Sequence, residues 1–187
     1  MKLTEVTLKK GKHDSTGKEM CFMEAVAFFA GEEHTDEPKC VCPVLVRYLQ
    51  VLNDGFEEEE RQLLKEYINK VIETNDGNSI KRAEILSFIG SKELLERVKK
   101  LPIRSNNWAS LTSIRYIEDA EDNYNTIKTS LEKDNTDSNI HSVAKLYSRN
   151  VGKDIGNAFI SAANSSRNNR HIFIDMALKT IDKLLLK

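Results

Sequence analysis

Cysteine and histidine residues are concentrated near the N-terminus of this 187-residue chain. All three cysteines lie between positions 21 and 42, and His34 lies among them, with twelve residues between Cys21 and His34. Thiolates and imidazole nitrogens are the ligands that zinc prefers, and three sulfurs with one nitrogen complete a tetrahedral shell. These residue types predict a closed, structural zinc site formed by Cys21, His34, Cys40 and Cys42.

The same residues also fit a protein that holds no cofactor. Cys40 and Cys42 form a Cys-x-Cys pair, which lacks the geometry of the Cys-x-x-Cys zinc knuckle. Free cysteine is among the residue types most often buried, where it packs as a small hydrophobic side chain. Cys21, inside an apolar stretch, suits this alternative. The sequence alone leaves both a zinc-bound and a cofactor-free protein open.

Cys42 has a second possible role because it immediately precedes Pro43, a residue favoured in the first turn of a helix. At the N-cap of that helix, the dipole would lower the pKa of the thiol and make it more reactive. The alternative is a thiol that serves only as a weak cap. No Ser-His-Asp or Cys-His-Asn order accompanies Cys42 to support nucleophilic catalysis.

Glu24 is the one ionisable residue in the apolar run from Met20 to Ala30. Burying an unpaired carboxylate is costly, so this side chain should have a partner or face a cleft. A functional role would make it an acid–base group or metal ligand with a raised pKa. The structural alternative is an ion pair with Arg47 or a hydrogen bond to the neighbouring loop.

The polar loop from Gly31 to Cys42 is where we expect the functional centre, if the protein has one. It leaves the end of an apolar helix and enters the next helix at Pro43, so the core should fix both of its ends. Loops held in this way commonly carry function. The candidates within it, besides Cys40 and Cys42, are His34, Asp36 and Glu37.

The elements that position these residues are predicted to be helices. Only three prolines and eight glycines interrupt the chain, which favours an all-α bundle of about seven helices. The Thr16–Glu19 capping-box spacing predicts a helix from Lys18 to Ala30, and Gly90 followed by Ser91 predicts a helix break. The last helix should begin near Arg170.

The chain divides by composition into an N-terminal helical region, 1–102, and a C-terminal helical bundle, 103–187. The first region contains the Cys/His cluster, and Leu3, Val6 and Leu8 could form a short strand or arm there. The second is rich in Asn and Ser and contains no cysteine. We expect the bundle to pack on the first region as one compact unit.

Charge and hydropathy exclude several classes of protein. The net charge is −1 and neither half is strongly basic, so nucleic-acid binding is not indicated. The chain has no apolar run of about 18 residues, so no membrane span is predicted. The charged start, Met1 to Lys12, lacks the apolar core of a signal peptide, which predicts a cytoplasmic protein.

Four segments within residues 21–60 resemble a group of helical hypothetical proteins found in bacterial and phage genomes. The resemblance covers about a fifth of the chain and implies a helical fold, but the group has no known activity that could be transferred. The segments are Cys21-Phe22-Met23-Glu24-Ala25, Ala30-Gly31-Glu32, Asp36-Glu37-Pro38-Lys39-Cys40-Val41-Cys42-Pro43-Val44 and Leu52-Asn53-Asp54-Gly55.

Three functions remain compatible with the sequence. The first is a non-catalytic helical binding or adaptor protein, phage-encoded on one interpretation of the resemblance, that acts through contacts with a protein partner. The second is the same scaffold with the structural zinc site. The third is a metal- or thiol-dependent enzyme centred on Glu24 and the loop 31–42. The absence of a recognisable catalytic motif favours the first.

Overall fold

The computed structural model describes residues 1–14, 17–100, 108–133 and 138–185. A short 3-10 turn, Leu3–Glu5, opens the chain and leads into strand β1, Thr7–Leu8. This strand pairs in parallel with β2, Glu19–Met20, so that Leu8 lies opposite Met20. The predicted short N-terminal strand is therefore confirmed.

Helices form the rest of the described fold, and the predicted all-α class is confirmed. A 3-10 turn, Leu63–Tyr67, joins the helices Glu58–Gln62 and Ile68–Val71, and a π turn, Ile89–Leu94, joins the helices Ser79–Phe88 and Leu95–Lys99. The described residues therefore contain seven continuous helical segments. The helices are α1 Phe22–Ala30, α2 Pro43–Gly55, α3 Glu58–Gln62, α4 Ile68–Val71, α5 Ser79–Phe88, α6 Leu95–Lys99, α7 Trp108–Lys133, α8 Ser138–Ser165 and α9 Arg170–Leu184.

Helix α1 begins later than the sequence predicts. Its N-cap is Cys21, whose sulfur accepts a hydrogen bond from the Glu24 N–H at 3.4 Å, while the Glu24 carboxylate accepts one from the Cys21 N–H at 2.7 Å. This reciprocal pair is a capping box with cysteine in place of serine or threonine. Glu19 and Met20 are not helical because they pair with β1, and Thr16 lies outside the described residues.

The predicted break at Gly90 is also wrong. The chain stays helical through the π turn, and Gly90 is buried against α8. A Cβ atom at this position would overlap the side chain of Ile155. Glycine is therefore required here for close packing between helices, and it does not end the helix.

Helices α2 and α8 lie side by side and run in the same direction. At the first turn of α2, Gly152 of α8 lies so close to the backbone that a Cβ atom there would overlap the carbonyl oxygen of Val44. At the other end, Gly55 lies directly against the side chain of Ile160. This alignment of α2 with α8 determines which residues of the two helices face each other.

One hydrophobic core connects the two halves of the chain. Buried side chains from the first half, such as Phe22, and from the second, such as Phe159, belong to the same cluster. The buried Tyr48 hydroxyl donates a hydrogen bond to the Ala177 carbonyl oxygen at 3.0 Å. Among the described residues, none of the helices has the length and apolar character needed to cross a membrane.

Candidate functional site

A cleft with a volume of about 540 Å³ opens between the N-terminal segment, the start of α1, and helices α2 and α8. Polar and apolar side chains share its lining. Its lining residues are Gly11, Lys12, Cys21, Phe22, Met23, Asp36, Arg47, Gln50, Val51, Asn53, Asp54, Gly55, Lys153, Asn157 and Ile160.

Asn53 fixes three parts of the cleft wall to one another. It is buried in α2, and its Oδ1 accepts a hydrogen bond from the Phe22 N–H at 3.2 Å, at the start of α1. Its amide nitrogen donates to the carbonyl oxygen of Lys9 at 3.0 Å. A single side chain therefore connects α2, α1 and the N-terminal segment.

Glu24 lies behind this wall, and its side chain is only 2% exposed. In addition to the bond from Cys21, the carboxylate accepts a hydrogen bond from the His13 N–H at 2.9 Å and lies 3.1 Å from His13 Nδ1. Arg47, one of the partners that the sequence suggested, instead forms an ion pair with Glu37 at 2.9 Å. Glu24 therefore anchors the N-terminal segment to α1.

The pKa of Glu24 is shifted in the opposite direction to the one expected for a catalytic acid. Burial acts to raise the pKa, but the hydrogen bonds from the His13 and Cys21 backbone N–H groups and from the His13 ring outweigh it, so the pKa of Glu24 lies below its ordinary value. The carboxylate is therefore ionised at neutral pH with its oxygens engaged by donors. This arrangement suits the positioning of structure better than proton transfer.

His34 joins the same group of residues, which we call the Glu24 cluster: His13, Cys21, Glu24 and His34. The Nε2 of His34 lies 2.7 Å from the carbonyl oxygen of His13 and 3.6 Å from a Glu24 carboxylate oxygen. His34 therefore links the loop 31–42 to the N-terminal segment. The sequence interpretation missed His13, because no standard spacing relates it to Glu24; the need of a buried carboxylate for donors was the only available signal.

Asp36 and Glu37 hold the loop 31–42 at the edge of the cleft. Asp36 forms an ion pair with Lys12 at 3.1 Å, across the cleft mouth from the N-terminal segment. Glu37 binds Arg47 of α2 and Arg149 of α8, the latter at 2.5 Å. Hydrogen bonding from Arg149 lowers the pKa of Glu37 despite its partial burial.

Cys40 and Cys42 lie in different surroundings from Cys21 and His34. The Cys42 N–H donates to Thr74 Oγ1 at 3.1 Å, and the Cys40 N–H donates to a Glu32 carboxylate oxygen at 2.8 Å. Throughout residues 1–14, 17–100, 108–133 and 138–185, no three His, Cys, Asp or Glu side chains are grouped so that they could hold a metal ion. The four-ligand zinc site is not assembled in this arrangement and stays a prediction.

Burial makes all three thiols less acidic. It raises the pKa of Cys21 to about 12 and that of Cys40 to about 11. Cys42 occupies the predicted N-cap of α2, but its sulfur makes no capping hydrogen bond. Burial raises its pKa as well, in spite of the helix start and the nearby Arg82. The thiolate is the nucleophilic form, so this environment does not activate Cys42.

Known proteins offer no template for interpreting these residues. The chain matches no protein-family model, no curated protein and no solved structure. Its function must therefore be inferred from the geometry of the cleft and of the Glu24 cluster behind it.

Proposed function

We propose that this chain is a non-catalytic binding protein of the adaptor type, and that a segment of its protein partner occupies the cleft between α1, α2 and α8. One observation carries the proposal: five separate parts of the chain converge on a concave site whose walls are connected by hydrogen bonds and ion pairs. Binding sites are commonly concave and largely formed before the ligand arrives.

The lining of the cleft suits a peptide segment with both apolar and polar side chains. Val51 and Ile160, both half-buried, offer apolar surface. Asn157 lines the cleft beside them, and within the described part of the chain its side-chain amide makes no hydrogen bond. Its amide is therefore available to a peptide backbone, while the apolar residues would cover a side chain of the partner.

The state of the ionisable groups favours binding over catalysis. The Glu24 carboxylate is engaged by Cys21 and by His13. Burial keeps the thiol of Cys21, a residue of the cleft lining, protonated at neutral pH by raising its pKa to about 12. Neither group is arranged as an activated nucleophile or a free base.

Filling the cleft tests the proposal. Asn157→Trp places an indole in the cleft, and Asn125→Trp adds the same side chain on the exposed surface of α7. Each protein would be used, at equal folded concentration, to capture partners from a lysate of the source organism, with quantitative mass spectrometry as the readout. A partner retained by the wild type and Asn125→Trp but lost with Asn157→Trp supports the proposal.

The outcome that contradicts the proposal is equally specific. If every protein captured by the wild type is captured equally well by Asn157→Trp, the cleft is not the binding surface. Thermal melting of both variants, compared with the wild type, separates a filled cleft from a misfolded protein.

A further inference from the structure

We infer that the partner presents an acidic side chain to one end of the cleft, which we call the basic end: Arg47 and Lys153 of the lining, with Arg149 beside them. This inference rests on the proposed function, because it assigns the chemistry of the segment that the cleft receives. The occupant to which we commit is a peptide segment in which an Asp or Glu lies close to an apolar residue.

The basic end contains more positive than negative charge. Arg47 from α2 and Arg149 from α8 both bind the carboxylate of Glu37, so two guanidinium groups share one acid. Lys153 lies one helical turn beyond Arg149 on the same side of α8 and lines the cleft. It interacts electrostatically with the adjacent Asp154 but forms no ion pair among the described residues, so its ammonium group is available to an incoming carboxylate.

The register of α2 and α8 places these cations together. Because Gly152 lies against α2 between Val44 and Tyr48, the neighbouring Lys153 is at the level of Arg47. Lys145, exposed and two turns before Lys153, extends the same basic side of α8 toward solvent. The positive charge thus continues from the outer surface of α8 into the cleft.

The opposite end of the cleft has a different character. Asp54 lies there, near the level of Ile160, and its Oδ1 accepts hydrogen bonds from the Gly11 N–H and from the Asn53 amide, each at 3.1 Å. Val51 provides apolar surface between the two ends. The cleft is therefore polarised, and a segment with an acidic side chain at one end and an apolar side chain next to it would bind in one direction.

Lys12, the remaining cation of the lining, does not change this conclusion. It forms an ion pair with Asp36 at 3.1 Å, so the two charges largely offset each other. A peptide fits the basic end better than a nucleic-acid backbone does, because the cationic region is short and leads directly to the apolar surface of Val51 and Ile160.

Selection from a random-peptide library tests the inference. The library would be selected on wild-type protein, and each recovered peptide would be measured against Asn157→Trp, Lys153→Glu and Lys128→Glu. The last variant makes the same charge change on the exposed surface of α7. We expect peptides that pair an acidic with an apolar residue, that fail to bind Asn157→Trp, and that bind Lys153→Glu about tenfold more weakly than Lys128→Glu.

The possible results distinguish the inference from the proposed function. Peptides that require an open cleft but lack acidic residues, or that bind Lys153→Glu and Lys128→Glu equally, overturn the inference and leave the binding function intact. Recovery of no peptide that depends on the cleft overturns both. Direct binding of a short single-stranded oligonucleotide, lost in Lys153→Glu and competing with the peptides, would also overturn the inference, because the basic end would then be a phosphate site.

Discussion

Glu24 is buried and Asp154 is half-buried, and the surroundings of these two carboxylates shift their pKa values in opposite directions. Hydrogen bonds from His13 and Cys21 overcome the effect of burial and lower the pKa of Glu24. Asp154, on the side of α8 that faces α7, receives one hydrogen bond, from the Asn123 amide at 3.0 Å. Burial and the nearby Asp119 raise the pKa of Asp154 to about 6.

The difference shows that the donors around a carboxylate decide its charge state, and that burial alone does not. Around Glu24, backbone N–H groups of two segments point at one carboxylate, which makes that region a stable support for the cleft wall. At the α7–α8 contact, the hydrogen bond from Asn123 only partly offsets the cost of burying the negative charge of Asp154. We therefore expect removal of the two negative charges to change stability in opposite directions.

The largest effect should come from Glu24→Gln. The amide keeps the size of the side chain but removes the charge that strengthens the hydrogen bonds from His13 and Cys21, and it presents a donor to one of these N–H groups. We expect the free energy of unfolding to fall by about 2–4 kcal/mol. Urea denaturation measures it, and Glu33→Gln, an exposed change in the same loop region, should alter stability by less than about 0.5 kcal/mol.

The loss in Glu24→Gln should depend on pH. Because the pKa of Glu24 is lowered in the folded protein, its contribution is complete above the ordinary carboxyl pKa and disappears as the pH falls through the lowered value. Wild type and Glu24→Gln should therefore converge in strong acid. A difference that stays constant from neutral to acidic pH would show that the charge of Glu24 is not what stabilises this region.

A smaller effect of opposite sign is expected for Asp154→Asn. The pKa of Asp154 is raised to about 6 in the folded protein, so its ionisation opposes folding above that pH. The amide removes this cost and can still accept the bond from Asn123. We expect a gain of about 1–2 kcal/mol near pH 8 that vanishes near pH 4, measured by urea denaturation at both values. Equal stability of wild type and variant at both pH values would refute the account of this region.

The smallest effect should come from Cys21→Ser. Serine is a good N-cap residue and can accept the Glu24 N–H as the thiol does, so stability should change by less than about 1 kcal/mol. Cys21→Ala removes the cap, and its free energy of unfolding should be about 1 kcal/mol lower than that of the wild type. If Cys21 instead binds zinc, Cys21→Ser would destabilise strongly, and a chelator would destabilise the wild type but not the variant.

Much of the fold could be predicted from local patterns, and the exceptions have identifiable causes. The starts of α2 at Pro43 and of α9 at Arg170 agree with the sequence interpretation. The start of α1 does not, because Glu19 pairs with Thr7 of β1, twelve residues earlier, and because Cys21 takes a capping role usually filled by serine or threonine. The continuation through Gly90 depends on its contact with α8, which no local pattern contains.

The candidate site was predictable only in part. Cys21 and Asp36, chosen for their residue types, do line the cleft, and His34 does join Glu24. Lys153 and Asn157 of α8 lie more than a hundred positions after Cys21 and Asp36 in the sequence. Their arrival at the same site depends on the packing of α8 along α2, which periodicity within either helix does not specify.

Hydrogen exchange with and without a captured partner tests the central claim most directly, because it maps the surface that the partner covers. We expect slower exchange in residues 9–14, in the loop 31–42 and in the facing parts of α2 and α8, with α7 unchanged from residue 118 to residue 130. The protection should be absent when Asn157→Trp is mixed with the same partner. Protection confined to α7 or α9, with the N-terminal segment and the loop unchanged, would contradict the assignment of the cleft as the binding site.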